Sequence, residues 1–146
     1  MYIPIMVDIF IRELNKLTDE INLYQDEKNL WKVSGQVTNS AGNLTLHICG
    51  NLQHFIGSVL GNTGYERNRD LEFSAKDVSR VQLLLDIEKT KAIVESTLKN
   101  LHEEDLSQIY PLQKSGKEMN TAYLLTHLLT HLNYHIGQIN YHRRMI

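Results

Sequence analysis

The last quarter of the chain, NTAYLLTHLLTHLNYHIGQINYHRRMI (Asn120–Ile146), carries four of the seven histidines at helical intervals. His127, His131 and His135 recur every fourth residue, and His142 follows seven residues later. At about 100° per residue these side chains project at about 0°, 40°, 80° and 60°, one narrow stripe on a helix. Packing alone gives no reason for imidazole there, because Leu or Ala fills a seam without polar atoms to satisfy. The rest of the chain is therefore read for what that stripe faces.

Breakers are scarce elsewhere, with two prolines and eight glycines in 146 residues, which favours long helices over a sheet-rich fold. The spacing predicts a first helix from residue 4 to about 30. Pro4 suits its first turn, and Ile5, Ile9, Leu14, Leu17, Ile21 and Leu23 or Tyr24 form its apolar face. Trp31 packs at its end. The turn-rich run from Ser34 to Asn43 separates it from a second helix, from about Ala41 to Leu60. There His47 and His54, seven apart, fall within about 20° of each other, with Asn51 on the same side as His47. Gly50 and Gly57 repeat at the same interval and admit a close neighbour. Gly61 to Phe73 reads as a loop of mixed charge. Ser74-Ala-Lys-Asp77 resembles a capping box for a third helix, which runs to about Leu101. Its apolar face takes Val78, Val81, Leu84 or Leu85, Ile87 or Glu88, Ala92, Val94 and Leu98. A connection with a short helical turn before Pro111 leads to the last helix, capped by Asn120 or Thr121. The fold class is all-α, and the architecture a four-helix bundle in one domain, residues 1–146.

The charge balance excludes several functions. A formal net charge of −2 gives no general attraction for nucleic acid or an anionic membrane, although Arg143 and Arg144 form a small basic patch. No apolar run is long enough to span a bilayer. The start, MYIPIMVDIFIREL, lacks a basic region and meets Asp8 and Arg12 early, which makes it a poor signal peptide. A lone Cys49 rules out an internal disulfide and any cysteine-rich zinc module, so the cytoplasm is the expected location.

Histidines at i and i+4 project side by side and grip one transition metal. His47 with a pair from the last helix makes a three-histidine site with an open coordination position, the mark of a catalytic rather than a structural centre. Imidazole suits zinc, nickel, copper and iron alike. Within the last helix His131 with His135 is the favoured pair; His127 can pair with His131 equally well by spacing, or orient a ligand from behind. His54, His102 and His142 read as hydrogen-bonded structural histidines, and Cys49, about 160° around the helix from His47, as packing. Other metal and nucleophile motifs fail on residue identity. HLNYH lacks the glutamate of HExxH, no Glu lies three residues before a histidine, and there is no CxxCH, GxSxG or phosphate-binding glycine loop.

The combination of LxLHxxGN (Leu44–Asn51) with HxxxHxGQ (His131–Gln138) resembles the DinB-like superfamily. The likeness extends over nearly the whole chain, including TGYERNRDLEFS and the terminal NYHRR. The resemblance implies a four-helix bundle that binds a divalent metal, zinc or nickel, and forms a homodimer. By position it assigns His47, His131 and His135 as the ligands, since the last ligand of the family stands just ahead of the x-Gly-Gln step. His127 and His54 are additional to that pattern. Asn51 and Gln138 then lie behind the ligands or in the cleft. Relatives of this kind include bacillithiol S-transferases and mycothiol-dependent isomerases, so the implied activity is transfer of a small thiol to an electrophile. The alternatives are a non-catalytic metal-binding or stress-associated bundle and a metal-dependent hydrolase that activates water.

Overall fold

The computed structural model describes residues 1–113 and 116–146. Four long helices dominate: α1 (Tyr2–Leu23), α2 (Ala41–Leu52), α4 (Arg80–Lys99) and α5 (Thr121–Met145), with a six-residue helix α3 (Arg69–Ser74) between α2 and α4. Single 3-10 turns occupy Glu27–Trp31 and Glu103–Ser107. Among the four long helices, α1 packs on α4 and α5, and α2 also packs on α4 and α5. The four helices therefore form a ring in the order α1, α4, α2, α5, and the predicted bundle is the observed fold.

Cross-helix bonds give the directions. Glu13 meets Asn133 and Glu20 meets Asn140, so α1 and α5 run parallel. Lys91 meets Asn15 and Arg80 reaches the Tyr24 carbonyl, so α4 runs against α1. Gln53 bonds Thr90 while Gly57 faces Ile93, so α2 and α4 are parallel neighbours. Parallel neighbours need a crossover as long as the bundle. The chain from Gly61 to Ser79 supplies it, running back along α2, and α3 is the helical part of that return.

The core seam follows three- and four-residue steps in each helix. In α1 it comprises Ile3, Met6, Phe10, Leu14, Leu17 and Ile21, and in α5 Leu124, Leu128, Leu132, Ile136 and Ile139. Ile5 lies outside it, half exposed, as do Val81 and Leu85 in α4; there Ile87, Val94 and Leu98 are buried as their spacing predicts, and Leu83 joins them. The first helix also stops earlier than its spacing suggests. Tyr24 is extended, and the Asp26 carboxylate accepts from the Lys28 N–H to start a separate 3-10 turn that ends at Trp31. The Trp31 indole lies flat against the backbone of Gly42, where a Cβ would come within 2.6 Å of the ring.

Two further boundaries move. The second helix is α only to Leu52; Gln53–Ser58 is a π turn, which widens the helix and changes the direction of every side chain beyond it. The Tyr110 hydroxyl donates to the Phe55 carbonyl within that turn at 2.7 Å. The third long helix is capped by Ser79, whose hydroxyl accepts from the Gln82 N–H, not by Ser74, which ends α3. Asp77, with φ 55°, cannot continue a helix.

A buried and a partly buried carboxylate, Glu13 and Glu20, tie α1 to α5. Glu13 accepts from Arg12, Lys16 and Asn133 at 2.7–2.9 Å, and Glu20 from Asn140 and Arg143 at 2.6 and 2.8 Å. Burial alone would raise both pKa values; the bonds from Lys16 and Arg12, and from Arg143 and Asn140, outweigh it and hold both below the ordinary 4.5. Groups depressed on folding stabilise the fold above their unfolded pKa and lose that contribution as the pH falls through the folded value. The melting temperature is therefore expected to be level above about pH 4.5 and to fall below it. A level profile down to pH near 3, by circular dichroism, would show that these carboxylates contribute nothing.

Candidate metal centre

The antiparallel packing of α2 on α5 brings His47 opposite the stripe read from the sequence. His47 Nε2 lies 3.2 Å from His131 Nε2, which lies 3.0 Å from His135 Nε2. The rings stand edge-on, with His47 at 78° to His131 and His131 at 87° to His135. Among the described residues, His47, His131 and His135 are the group whose ligand atoms all lie within 4.8 Å of one another. This cluster can hold a metal ion.

The far side of two rings is fixed. His47 Nδ1 lies 3.0 Å from Glu72 Oε1, and the Glu72 carboxylate also takes a fork from Arg67, Nε to Oε2 and Nη2 to Oε1, both 2.9 Å. Burial would raise the Glu72 pKa, but the bonds from His47 and Arg67 and the charge of Arg67 bring it below the ordinary value. A carboxylate only accepts, so the proton in that contact belongs to His47 Nδ1. His135 Nδ1 lies 2.7 Å from Gln138 Oε1, an amide oxygen, and so carries its proton as well. Burial lowers the His135 pKa against the opposing effect of the bond to Gln138. Both Nε2 atoms therefore present lone pairs to His131. A single proton on His131 Nε2 serves one of them well, whereas a cation serves all three.

Residues 2–146 match the model of the family described as protein of unknown function, DUF1572. The chain belongs to the DUF1572 family. Two solved structures share its architecture. A DinB-like protein from Bacillus cereus superposes with a TM-score of 0.77 at 16% identity, covering 96% of this chain and 89% of that one. A DinB-like protein from Bacillus subtilis gives 0.70 at 17%, covering 96% and 90%. The DUF1572 chain thus has the DinB-like fold. No curated protein matches its sequence significantly.

The remaining histidines of the DUF1572 chain separate by position. His127 stands one turn before His131, its ring nearly parallel to that of His131 at 6.5 Å. His54 lies beyond the onset of the π turn and packs its ring on Phe55 at 4.7 Å; burial first, then Arg67, lowers its pKa. His142 is buried, its Nε2 donating to the Lys32 carbonyl at 2.8 Å and its Nδ1 2.6 Å from the Tyr24 hydroxyl. Asn51, one turn beyond His47, is buried, and its Oδ1 has no hydrogen-bond partner among the described residues. Residues 61–73 read as a loop from the sequence, yet the structure brings Glu72 and Arg67 from that stretch to His47. Asn68 capping the Leu71 N–H, with Asp70 and Glu72 in the first turn, was the available signal for a helix there.

Proposed function

We propose that this DUF1572 chain is a metal-dependent enzyme that activates a low-molecular-weight thiol and transfers that thiol to an electrophile. The observation that carries the reading is the convergence of three Nε2 atoms, two of them fixed as lone-pair donors by Glu72 and Gln138. Neutral imidazoles in this number suit zinc or nickel and leave room for a further ligand. A divalent ion held there would draw a thiol's pKa toward neutrality. The thiol proton goes to solvent, the sulfur bonds to the electrophilic carbon, and the leaving group takes the displaced electron pair.

The sulfur must come from outside. Cys49 is 4% exposed, and burial pushes its thiol up to about 12, so the chain's own cysteine is not a nucleophile. Among the described residues no helix is long and apolar enough to cross a membrane, and the reading needs no membrane or nucleic-acid partner.

The test is turnover by protein loaded with zinc or nickel, assayed with bacillithiol, mycothiol and glutathione against a panel of electrophiles. The expected result is a thiol adduct whose formation stops on chelation. Metal uptake without turnover on any thiol would replace this reading with a non-catalytic metal-binding bundle. Product formed without thiol would make the chain a hydrolase. A chain that takes up neither ion would lose the metal reading altogether.

A further inference from the structure

We infer that Glu72 is a positioning residue of the centre: it holds His47 as the Nδ1–H tautomer with Nε2 aimed at His131, and the crossover between α2 and α4 is built to deliver it. The inference builds on the metal reading above, and its geometry is that of Glu72, His47 and Arg67 themselves.

A helix of six residues is too short to persist alone, so α3 is held by what it touches. Its tethers converge on Glu72. Asn43, in the first turn of α2 and 1% exposed, donates from Nδ2 to the carbonyls of Glu72 and Ala75 at 3.0 and 2.9 Å. The Ser40 hydroxyl donates to Asn43 Oδ1 at 2.7 Å and so fixes the amide that makes those bonds. The backbone of Glu72 is thus pinned to α2, while the Arg67 fork pins its carboxylate.

The carboxylate needs a gap in α2, and Gly50 supplies it. A Cβ on Gly50 would lie 2.0 Å from Glu72 Oε2 and 2.7 Å from Cδ. Glycine inside a helix is destabilising relative to alanine, and burying an ion pair costs desolvation that apolar packing would avoid. Holding α3 against α2 requires neither. Both costs meet at the contact with His47 Nδ1, the atom whose protonation decides whether Nε2 can be a ligand.

Arg67 makes the alternative tautomer concrete. Its Nη2 lies 3.4 Å from His47 Nδ1. With Glu72 present, that donor is committed to the carboxylate. Without it, Arg67 would donate to Nδ1 and leave the proton on Nε2, facing His131.

The experiment combines 15N NMR of the imidazoles in metal-free protein with zinc affinity by chelator competition. Wild type should show His47 protonated on Nδ1. Glu72→Ala should move that proton to Nε2 and weaken zinc binding roughly 10–100-fold. Glu72→Gln, which keeps an acceptor oxygen, should retain much of both. Gly50→Ala should weaken zinc binding in wild type but add little in the Glu72→Ala background, because its effect is to displace the carboxylate. Unchanged tautomer and affinity in Glu72→Ala would overturn the inference, as would multiplying effects of the two substitutions. If Glu72→Ala does not fold, Gly50→Ala and Glu72→Gln carry the same readouts. If wild type takes up no zinc, the metal reading falls while the tautomer measurement still decides the role of Glu72.

Discussion

Replacing His131 with alanine is expected to remove metal binding while leaving the fold intact. His131 is the middle of the cluster, with the Nε2 atoms of His47 and His135 at 3.2 and 3.0 Å on either side. Its ring is only half-buried, so truncation opens no large cavity in the core. Zinc in four-ligand finger peptides is bound by about 10–16 kcal/mol, or about 3 kcal/mol per ligand. Losing one of three protein ligands should then weaken binding by about 100-fold or more. In a thermal-shift titration, zinc at about 100 times the wild-type Kd stabilises wild type by about 2.7 kcal/mol, and most of that should vanish in the variant. His142→Ala is the matched control from the same stripe. It loses the bonds to Tyr24 and Lys32 and should lower stability without changing zinc affinity. Wild-type affinity in His131→Ala would refute the three-histidine centre.

That contrast shows what a helical stripe encodes. Angle around α5 groups His127, His131, His135 and His142 together, but a seven-residue step also moves about 10.5 Å along the axis. His142 therefore meets the end of α1, whereas His131 and His135 meet the middle of α2. Spacing gives the face; only the partner helix selects which members of it act together. The π turn adds a second limit. His47 and His54 share a face in a regular helix, yet Gln53–Ser58 is wound wider and turns His54 toward Phe55.

Boundaries fail where tertiary bonds choose between equivalent local signals. Ser74-Ala-Lys-Asp77 and Ser79-Arg-Val-Gln82 both carry a capping serine with a polar residue three positions on. The stretch between them is held out of helix: Asn43 binds the Ala75 carbonyl, and the Trp31 indole donates to the Val78 carbonyl at 3.2 Å. Helix α4 starts only after those contacts are made. Glu72 is hidden for the same reason. Its link to His47 depends on Gly50, Asn43 and Arg67, and on the parallel packing of α2 and α4 that sends the crossover back past His47.

Asn43→Ala is the substitution in which fold and centre should fail together. Asn43 is 1% exposed and serves the Ser40 hydroxyl and the carbonyls of Glu72 and Ala75. Its removal strands two buried polar groups and the partly buried Ala75 carbonyl, and a buried group costs about 1–3 kcal/mol when unsatisfied. Partial relaxation should leave a loss of about 3 kcal/mol, a large share of the 5–15 kcal/mol typical of a folded domain. With a urea m-value of about 1–3 kcal/mol/M, the midpoint should drop by about 1–3 M. The loss should also be localised. Amides of residues 69–75 should exchange faster relative to those of α4, and zinc affinity should fall because Glu72 no longer holds its place. A core truncation such as Phe10→Ala, at a side chain 0% exposed, should cost a similar 3–5 kcal/mol without that selective exposure. Equal exchange in the two regions would mean that Asn43 supports the bundle generally, and that something other than this tether holds α3 against His47.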